Sequence, residues 1–305
     1  MNVEVSVAQP ALRQSGVVAG LLASARPKQW IKNVILFGPL VFAHDLLAPL
    51  QLALALGAFV TFCLVSSATY VINDLLDVAN DRLHPLKRFR PLACGQVSAG
   101  QSIAWAAVLT IAGLAVGFGT GITVGLAAAG YMVLMLGYST SLKHLVIIDV
   151  FAIAGGFMLR AVTGALAIHV IISPWLYVCT LLLALFLGFS KRYNELMVLQ
   201  HAAATHRRSL EDYSPEMLEQ MIGILIASLL MAYSLYTFSA DSLPANHSMM
   251  LTIPFVLYGI FRYQFLVHRK HLGGAPEQVL LRDVPLMVDV LLWGAISILV
   301  LYVSK

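Results

Sequence analysis

Three aspartates and two asparagines stand within nine residues in N-D-L-L-D-V-A-N-D, residues 73 to 81, where an apolar run that begins near Gln51 comes to its end. At about 100° per residue, Asn73, Asp77, Asp81 and Asp74 fall at roughly 0°, 40°, 80° and 100° around a helix, so all four share one face. Carboxylates crowded in this way repel one another unless a cation neutralises them. Amide and carboxylate oxygens are hard ligands that suit Mg²⁺, an ion that keeps several waters and is often completed by substrate phosphates. Lys87, Arg88 and Arg90 follow directly. Acids that hold a metal beside bases that take the remaining charge form a grip for a diphosphate. The reading marks Asp74, Asp77 and Asp81 as catalytic, Asn73, Asp77 and Asp81 as metal ligands, and Asn73, Lys87, Arg88 and Arg90 as substrate-binding. The plainer alternative is a solvated helix end with a positive flank. A membrane edge is an unusual place for acids that serve solubility alone.

Other chemistry-bearing groups are sparser. Asp149 and Arg160 share a helix face but are separated by about 16 Å of axial rise, so they cannot pair directly. An intramembrane ionisable residue usually faces the bundle. Asp149 is expected in a cavity and Arg160 in a structural hydrogen-bond network. Tyr138 and Lys143, and likewise Lys191 and Arg192, flank apolar runs, where aromatic-belt and topological roles are the ordinary expectation. The segment R-P-K-Q-W-I-K-N, residues 26 to 33, reads as an interfacial anchor. The nine histidines show no H-E-x-x-H spacing, and no G-x-S-x-G, P-loop or dinucleotide glycine pattern occurs. Cys63, Cys94 and Cys179 are isolated in sequence.

The elements that must position these residues are membrane helices. The 305 residues are 59% apolar and 11% charged, far from the balance of a soluble domain. Nine spans are expected, near 31–49, 52–72, 102–119, 122–138, 146–167, 174–190, 221–239, 249–267 and 285–303. Pro39, His44, Asp45 and Pro49 interrupt the first two. Arg13, Arg26, Lys28 and Lys32, then Arg82 to Arg90, Lys143, Lys191 to Arg208, and Arg262 to Arg282 place Lys or Arg in alternate connections. Only Arg160 and Lys305 fall elsewhere. By the positive-inside rule the amino terminus and the basic loops are cytoplasmic and the carboxyl terminus is outside, in a bacterial-type inner membrane. The net positive charge is therefore a topology signal and requires no nucleic-acid partner. A single domain over 1–305 is expected, with 1–25 a partly flexible cytoplasmic segment. The run 16–25 superficially resembles a cleavable leader, but the stronger positive cluster follows it, and it is expected to be retained. Ser214 and Pro215 mark a helix start that leads into the seventh span.

N-D-L-L-D-V-A-N-D followed by H-P-L-K-R-F-R-P-L-A-C-G resembles the first signature of the UbiA superfamily of intramembrane prenyltransferases. Within it, R-P-K-Q-W-I-K-N, Y-S-T-S-L-K-H at 138–144, K-R-Y-N-E-L at 191–196 and F-R-Y at 261–263 resemble the decaprenyl-phosphate phosphoribosyltransferase branch. The resemblance implies an all-α, nine-helix bundle with a cytoplasmic-side cavity, Mg²⁺ as cofactor, and phosphoribosyl diphosphate and a polyprenyl phosphate as substrates. It also implies a place in cell-wall biosynthesis and is compatible with a homo-oligomer. It adds Lys28, Lys32, Tyr138, Lys143, Lys191, Arg192 and Glu195 to Asp149 as substrate-binding candidates. Ordinary members carry D-x-x-x-D after the sixth helix, where this chain has K-R-Y-N-E. That exchange turns a second metal clamp into a site that can neutralise a separate phosphate. Two rivals stand beside this reading. One is a prenyltransferase acting on an aromatic or other acceptor, and the other a transporter of lipid phosphates or metal.

Overall fold

The computed structural model describes residues 16–84, 87–198, 210, 212–240, 243–270, 274 and 276–303. Arg13, Arg207, Arg208, His271 and Lys305, and most of the expected amino-terminal segment, lie outside them. All regular structure among the described residues is helical. A short helix α1 (Val17–Ser24) leads into a 3₁₀ segment (Pro27–Phe37) and α2 (Gly38–Phe42). Then follow α3 (Pro49–Leu76), α4 (Val78–Leu83), α5 (Ala99–Thr120), α6 (Ile122–Thr140), α7 (Ile148–Ala167) and α8 (Pro174–Val198). The chain closes with α9 (Pro215–Ser239), α10 (Ile253–Lys270), α11 (Pro276–Arg282) and α12 (Val284–Val303).

Eight helices among the described residues are long and apolar enough to cross a membrane. They coincide with the second to ninth expected spans. The first, over 31–49, is not a continuous α-helix. Pro39 has no amide hydrogen to continue an α ladder and fits only a first turn, and it opens α2 after eleven residues of 3₁₀ geometry. This broken segment packs against α3 and α7 with Asn33, Leu36 and Leu40 buried. Gly164 on α7 permits that contact, because a Cβ there would collide with the Leu36 backbone. Gly113 on α5 similarly admits the Val65 side chain of α3.

Helix starts follow their caps. Ser98 and Gln101 form a reciprocal capping box at α5, with Ser98 Oγ accepting from the Gln101 amide at 3.2 Å. Ser214 Oγ accepts from the Met217 amide at 3.1 Å, and Pro215 opens α9. Two apolar clusters flank a central cavity. One joins α7, α8, α9 and α10 around Phe186, Phe189, Leu218 and Leu266. The other joins the 3₁₀ segment, α3, α6 and α7 around Leu36, Phe62 and Tyr131.

Candidate active site

The cavity between these clusters has a volume of about 2170 Å³, more than twice the upper end of the roughly 300–1,000 Å³ of small-molecule sites. Its wall changes character along its length. Asn73, Asp77, Asp81, Lys87, Arg90 and Lys143 form part of a charged region, whereas Phe37, Phe42, Leu176, Leu183, Val256 and Ile298 belong to an apolar one.

The acidic helix of the sequence is two helices meeting at Asp77, where α3 ends and α4 begins. The acids still converge, but each is paired with a cation. Arg90 Nη1 donates to Asp74 Oδ1 at 3.0 Å and to Asp81 Oδ2 at 2.6 Å. Arg26 Nη2 donates to the same Asp74 oxygen at 2.5 Å. Lys143 Nζ reaches Asp77 Oδ1 at 2.7 Å, and Asn73 Nδ2 donates to Asp77 Oδ2 at 3.1 Å. Asp77 and Asp81 line the cavity, while Asp74 is buried behind its wall as the anchor of two arginines. In the sequence Arg26 is a topology signal and the first residue of the R-P-K-Q-W-I-K-N segment, with no role at the acids assigned to it. It occupies the left-handed region at φ 52 directly before Pro27 and lies over the Tyr70 ring at 5.0 Å, a strained conformation of the kind held where a side chain must be aimed.

A second cluster lies on α8. Lys191, Arg192 and Glu195 line the cavity, as do Lys32 and Tyr138. Arg192 is 1% exposed; its Nε donates to Asp149 Oδ2 at 2.8 Å and its Nη1 to Glu195. Lys191 pairs with Glu195 at 3.8 Å. Asp149 corrects an expectation: it is fully buried beneath the wall, not among the lining residues, and so holds Arg192 instead of facing a ligand. Tyr213 Oη donates to Asp149 Oδ1 at 3.2 Å and accepts the Ile147 amide at 2.6 Å. Burial, followed by the Asp149 charge, pushes the Tyr213 phenol up to about 12. Lys87 lies at the cavity mouth, where desolvation and then Arg90 lower its ammonium below the ordinary lysine range, opposed by Asp81, Glu195 and Asp77.

Lys28 and Arg88 do not line the cavity. Both are exposed, and Arg88 lies over the neighbouring Phe89 ring at 4.9 Å. Arg160 forms a network, donating from Nε to Asn33 Oδ1 at 2.6 Å, from Nη1 to the Gly156 carbonyl at 2.9 Å and from Nη2 to Tyr131 Oη at 2.8 Å. These bonds tie the broken first segment to α6 and α7. Asp289 on α12, not singled out from sequence, is 7% exposed on the cavity wall beside Gly259, and no described residue pairs with it.

The donor set fits a hard divalent cation on one condition. Two carboxylates already converge on a single positive nitrogen, Arg90 Nη1, and hard oxygens are the ligands such an ion prefers. Among the described residues, however, no group of three His, Cys, Asp or Glu side chains is set to hold a metal as it stands. The paired cations must move first.

A multi-helix bundle enclosing a cavity that is charged in one region and apolar in another defines a membrane protein with an amphipathic internal site. The chain belongs to the UbiA prenyltransferase family, whose model matches residues 34–279. It is 34% identical to a decaprenyl-phosphate phosphoribosyltransferase from Corynebacterium glutamicum, covering 93% of this chain and 87% of that one. It is 33% identical to the protein of the same name from Mycolicibacterium smegmatis, covering 91% of each. Among solved structures, a UbiA homologue from Archaeoglobus fulgidus bound to GPP and Mg²⁺ superposes with a TM-score of 0.72 at 18% identity, covering 92% of this chain and 99% of that one. The protein is accordingly a transferase similar over nearly its whole length to the decaprenyl-phosphate phosphoribosyltransferases.

Proposed function

We propose that this protein transfers 5-phosphoribose from phosphoribosyl diphosphate to a polyprenyl monophosphate of decaprenyl type, with Mg²⁺, releasing diphosphate and inverting C1. The observation that carries the reading is the charge of the cavity wall. Its described lining bears eight Arg and Lys side chains against four Asp and Glu. A surplus of positive charge around a largely apolar space suits a phosphorylated donor meeting a lipid that also ends in phosphate. A prenyl diphosphate and an aromatic acceptor bring less negative charge, and the K-R-Y-N-E segment lacks the second acidic pair such members use.

Asn73, Asp77 and Asp81 would hold the metal, which when bound neutralises charge on the diphosphate. The remaining steps rest on the chain's own groups. Arg90, Lys87 and Lys143 take up the negative charge that grows on the leaving diphosphate as the C1–O bond breaks and its electron pair departs with that oxygen. Lys191, Arg192 and Lys32 hold the second phosphate. An oxygen of the lipid phosphate attacks the opposite face of C1 and forms the new bond. A phosphomonoester is mostly ionised near neutral pH, its second pKa being about 6, so positioning replaces a general base. The polyprenyl tail follows the apolar wall toward Phe37 and Phe42 and leaves sideways into lipid.

The broken first segment completes a nine-crossing topology in this reading. Eleven residues of 3₁₀ helix and five of α-helix extend about 30 Å, with residues 26–33 at the interface and the apolar remainder, continued toward Pro49, in the hydrocarbon core. The amino terminus and the charged end of the cavity are then cytoplasmic in a bacterial inner membrane. The test is purified protein with Mg²⁺, polyprenyl phosphate and phosphoribosyl diphosphate, compared with prenyl diphosphate plus aromatic acids, following diphosphate release and lipid product mass. Product in the first mixture supports the reading. Turnover only in the second would replace it.

A further inference from the structure

Of the four carboxylates on the described cavity lining, Asp77, Asp81 and Glu195 sit among the cations of the charged end, and Asp289 does not. It lies on α12, about 9 Å beyond Asp283 along the helix axis. Asp289 is 7% exposed, and no described residue pairs with it. Its Oδ2 rests against Gly259 of α10, where a Cβ would come within 2.8 Å. A buried carboxylate without a donor is costly, and an ionisable residue inside a membrane marks a functional site by default.

The donors around it are committed elsewhere. Trp293, one turn along α12, donates from Nε1 to Tyr233 Oη at 2.7 Å. Thr252 Oγ1 gives its proton to the Met249 carbonyl at 2.7 Å, so the 2.6 Å bond between Tyr233 Oη and Thr252 Oγ1 uses the Tyr233 proton. Ser297, a turn further, donates to the Trp293 carbonyl at 2.7 Å. With their polar edges spent on one another, Trp293 and Tyr233 have only their ring faces to offer a ligand. Tyr236 extends the group, its ring centroid 5.9 Å from that of Tyr233, and it too lines the cavity. A carboxylate beside aromatic faces is the composition that recognises an organic cation. A neutral hydroxyl would supply a donor and leave the charge uncompensated, whereas an ammonium supplies both. A bare divalent ion lacks ligands here, since no group of three His, Cys, Asp or Glu is assembled among the described residues. Asp289 also borders a shallow groove with Val288 and Leu292, both exposed on the surface that faces lipid. A cation carrying an apolar chain therefore reaches it from the bilayer without passing the cationic mouth.

We propose that Asp289, with the rings of Trp293, Tyr233 and Tyr236, is a binding site for a lipophilic organic cation, whose ammonium rests on the carboxylate and whose chain follows the apolar wall. The site is separate from the charged end and independent of the transfer reaction assigned there. The test is equilibrium binding of radiolabelled N,N-dimethylhexadecylamine to the full-length protein in phosphatidylglycerol nanodiscs, with empty discs subtracted and hexadecanol as the neutral counterpart. The parent should bind the amine at least about tenfold more tightly than it binds the alcohol, and at least about tenfold more tightly than Asp289→Asn binds the amine, the scale of a lost hydrogen bond to a charged group. Tyr236→Leu, which removes a ring without breaking a described hydrogen bond, should weaken the amine about three- to fivefold. Gly259→Ala, whose Cβ pushes on Asp289 Oδ2, should weaken it as well and decides the question if Asp289→Asn fails to fold. Equal binding of the amine to the parent and to these Asp289 and Gly259 variants, or of amine and alcohol to the parent, would overturn the proposal. Phosphatidylethanolamine added to the discs competes if the source of the ammonium is a lipid headgroup and does not if it is a free amine; either result supports the site.

Discussion

Asp77 and Asp81 look equivalent in the sequence, and a metal role alone would have each Asn variant lose turnover while keeping its stability. Their surroundings separate them. Asp77 is 25% exposed and pairs with a Lys143 side chain that is 15% exposed. A pair so open to water contributes about 1 kcal/mol. Asp81 is 4% exposed, and its Oδ2 takes a 2.6 Å bond from Arg90, which among the described residues also bonds Asp74. Neutralising Asp81 weakens a short charge-assisted bond whose acceptor is buried, although Arg90 itself is 24% exposed and keeps Asp74, a cost of about 2 kcal/mol. At roughly 2–4 °C per kcal/mol for a somewhat smaller chain, Asp77→Asn should melt within about 4 °C of the parent and Asp81→Asn roughly 4–8 °C below it. Turnover should fall at least about a hundredfold in both, the scale seen when one electrostatic contact to a developing charge is removed. Thermal unfolding in detergent and diphosphate release from the same preparations give the two readouts. Asp77→Asn retaining more than about a tenth of parental turnover would remove this residue from the chemistry. Coincident melting of the two variants would refute the burial argument.

Gly164→Ala should destabilise by about 1–3 kcal/mol, as overpacked cores do, because the new Cβ meets the Leu36 backbone and forces the 3₁₀ segment off α7; an unchanged melting temperature would contradict that contact. The Tyr213 phenol, raised to about 12 from about 10 in an unfolded chain, binds its proton more tightly when folded. Its contribution is complete below pH 10 and disappears as pH rises toward 12. Alkaline unfolding should therefore shift in Tyr213→Phe, and identical alkaline curves would show that Tyr213 carries no such linkage. Asp289→Asn should raise the melting temperature, since a buried carboxylate without a described partner is costly by about 1 kcal/mol or more; a fall would reveal a partner.

Much of the helical scaffold was readable because hydrophobic run length is a direct consequence of bilayer thickness. Eight spans and the Ser214–Pro215 start of α9 fall where run length and capping put them. The run 31–49 differed because composition reports that a segment is apolar but not how its backbone bonds are satisfied, and Pro39 together with packing on Gly164 decided that. At the site, the helical wheel brought Asn73, Asp77 and Asp81 to one wall despite the break at Asp77. It could not tell a lining acid from one behind the wall. Asp74 and Asp149 are of the second kind, and what identifies them is the arginine each holds, contributed from residues 16 to 48 positions away. Pairings across such distances leave no mark in local spacing, which is also why Arg26 read only as flanking charge.

These two buried acids have a common consequence for the chemistry. An arginine on a cavity wall has many rotamers, and a carboxylate behind the wall selects among them. Asp149 behind Arg192, and Asp74 behind Arg26 and Arg90, hold one part of each guanidinium, while Arg192 also reaches Glu195 and Arg90 also reaches Asp81 on the wall. A planar group with five donors can be held from one side while it binds from another, which a lysine cannot do. The lysines of the site are positioned differently: Lys143 and Lys191 reach carboxylates that are themselves partly exposed, at 25% for both Asp77 and Glu195. Arg26 and Arg192 are thus fixed points, and the lysines, with the Arg90 bond to Asp81, movable ones. A reaction that must admit a soluble diphosphate, release it, and keep a lipid phosphate aligned throughout requires both kinds.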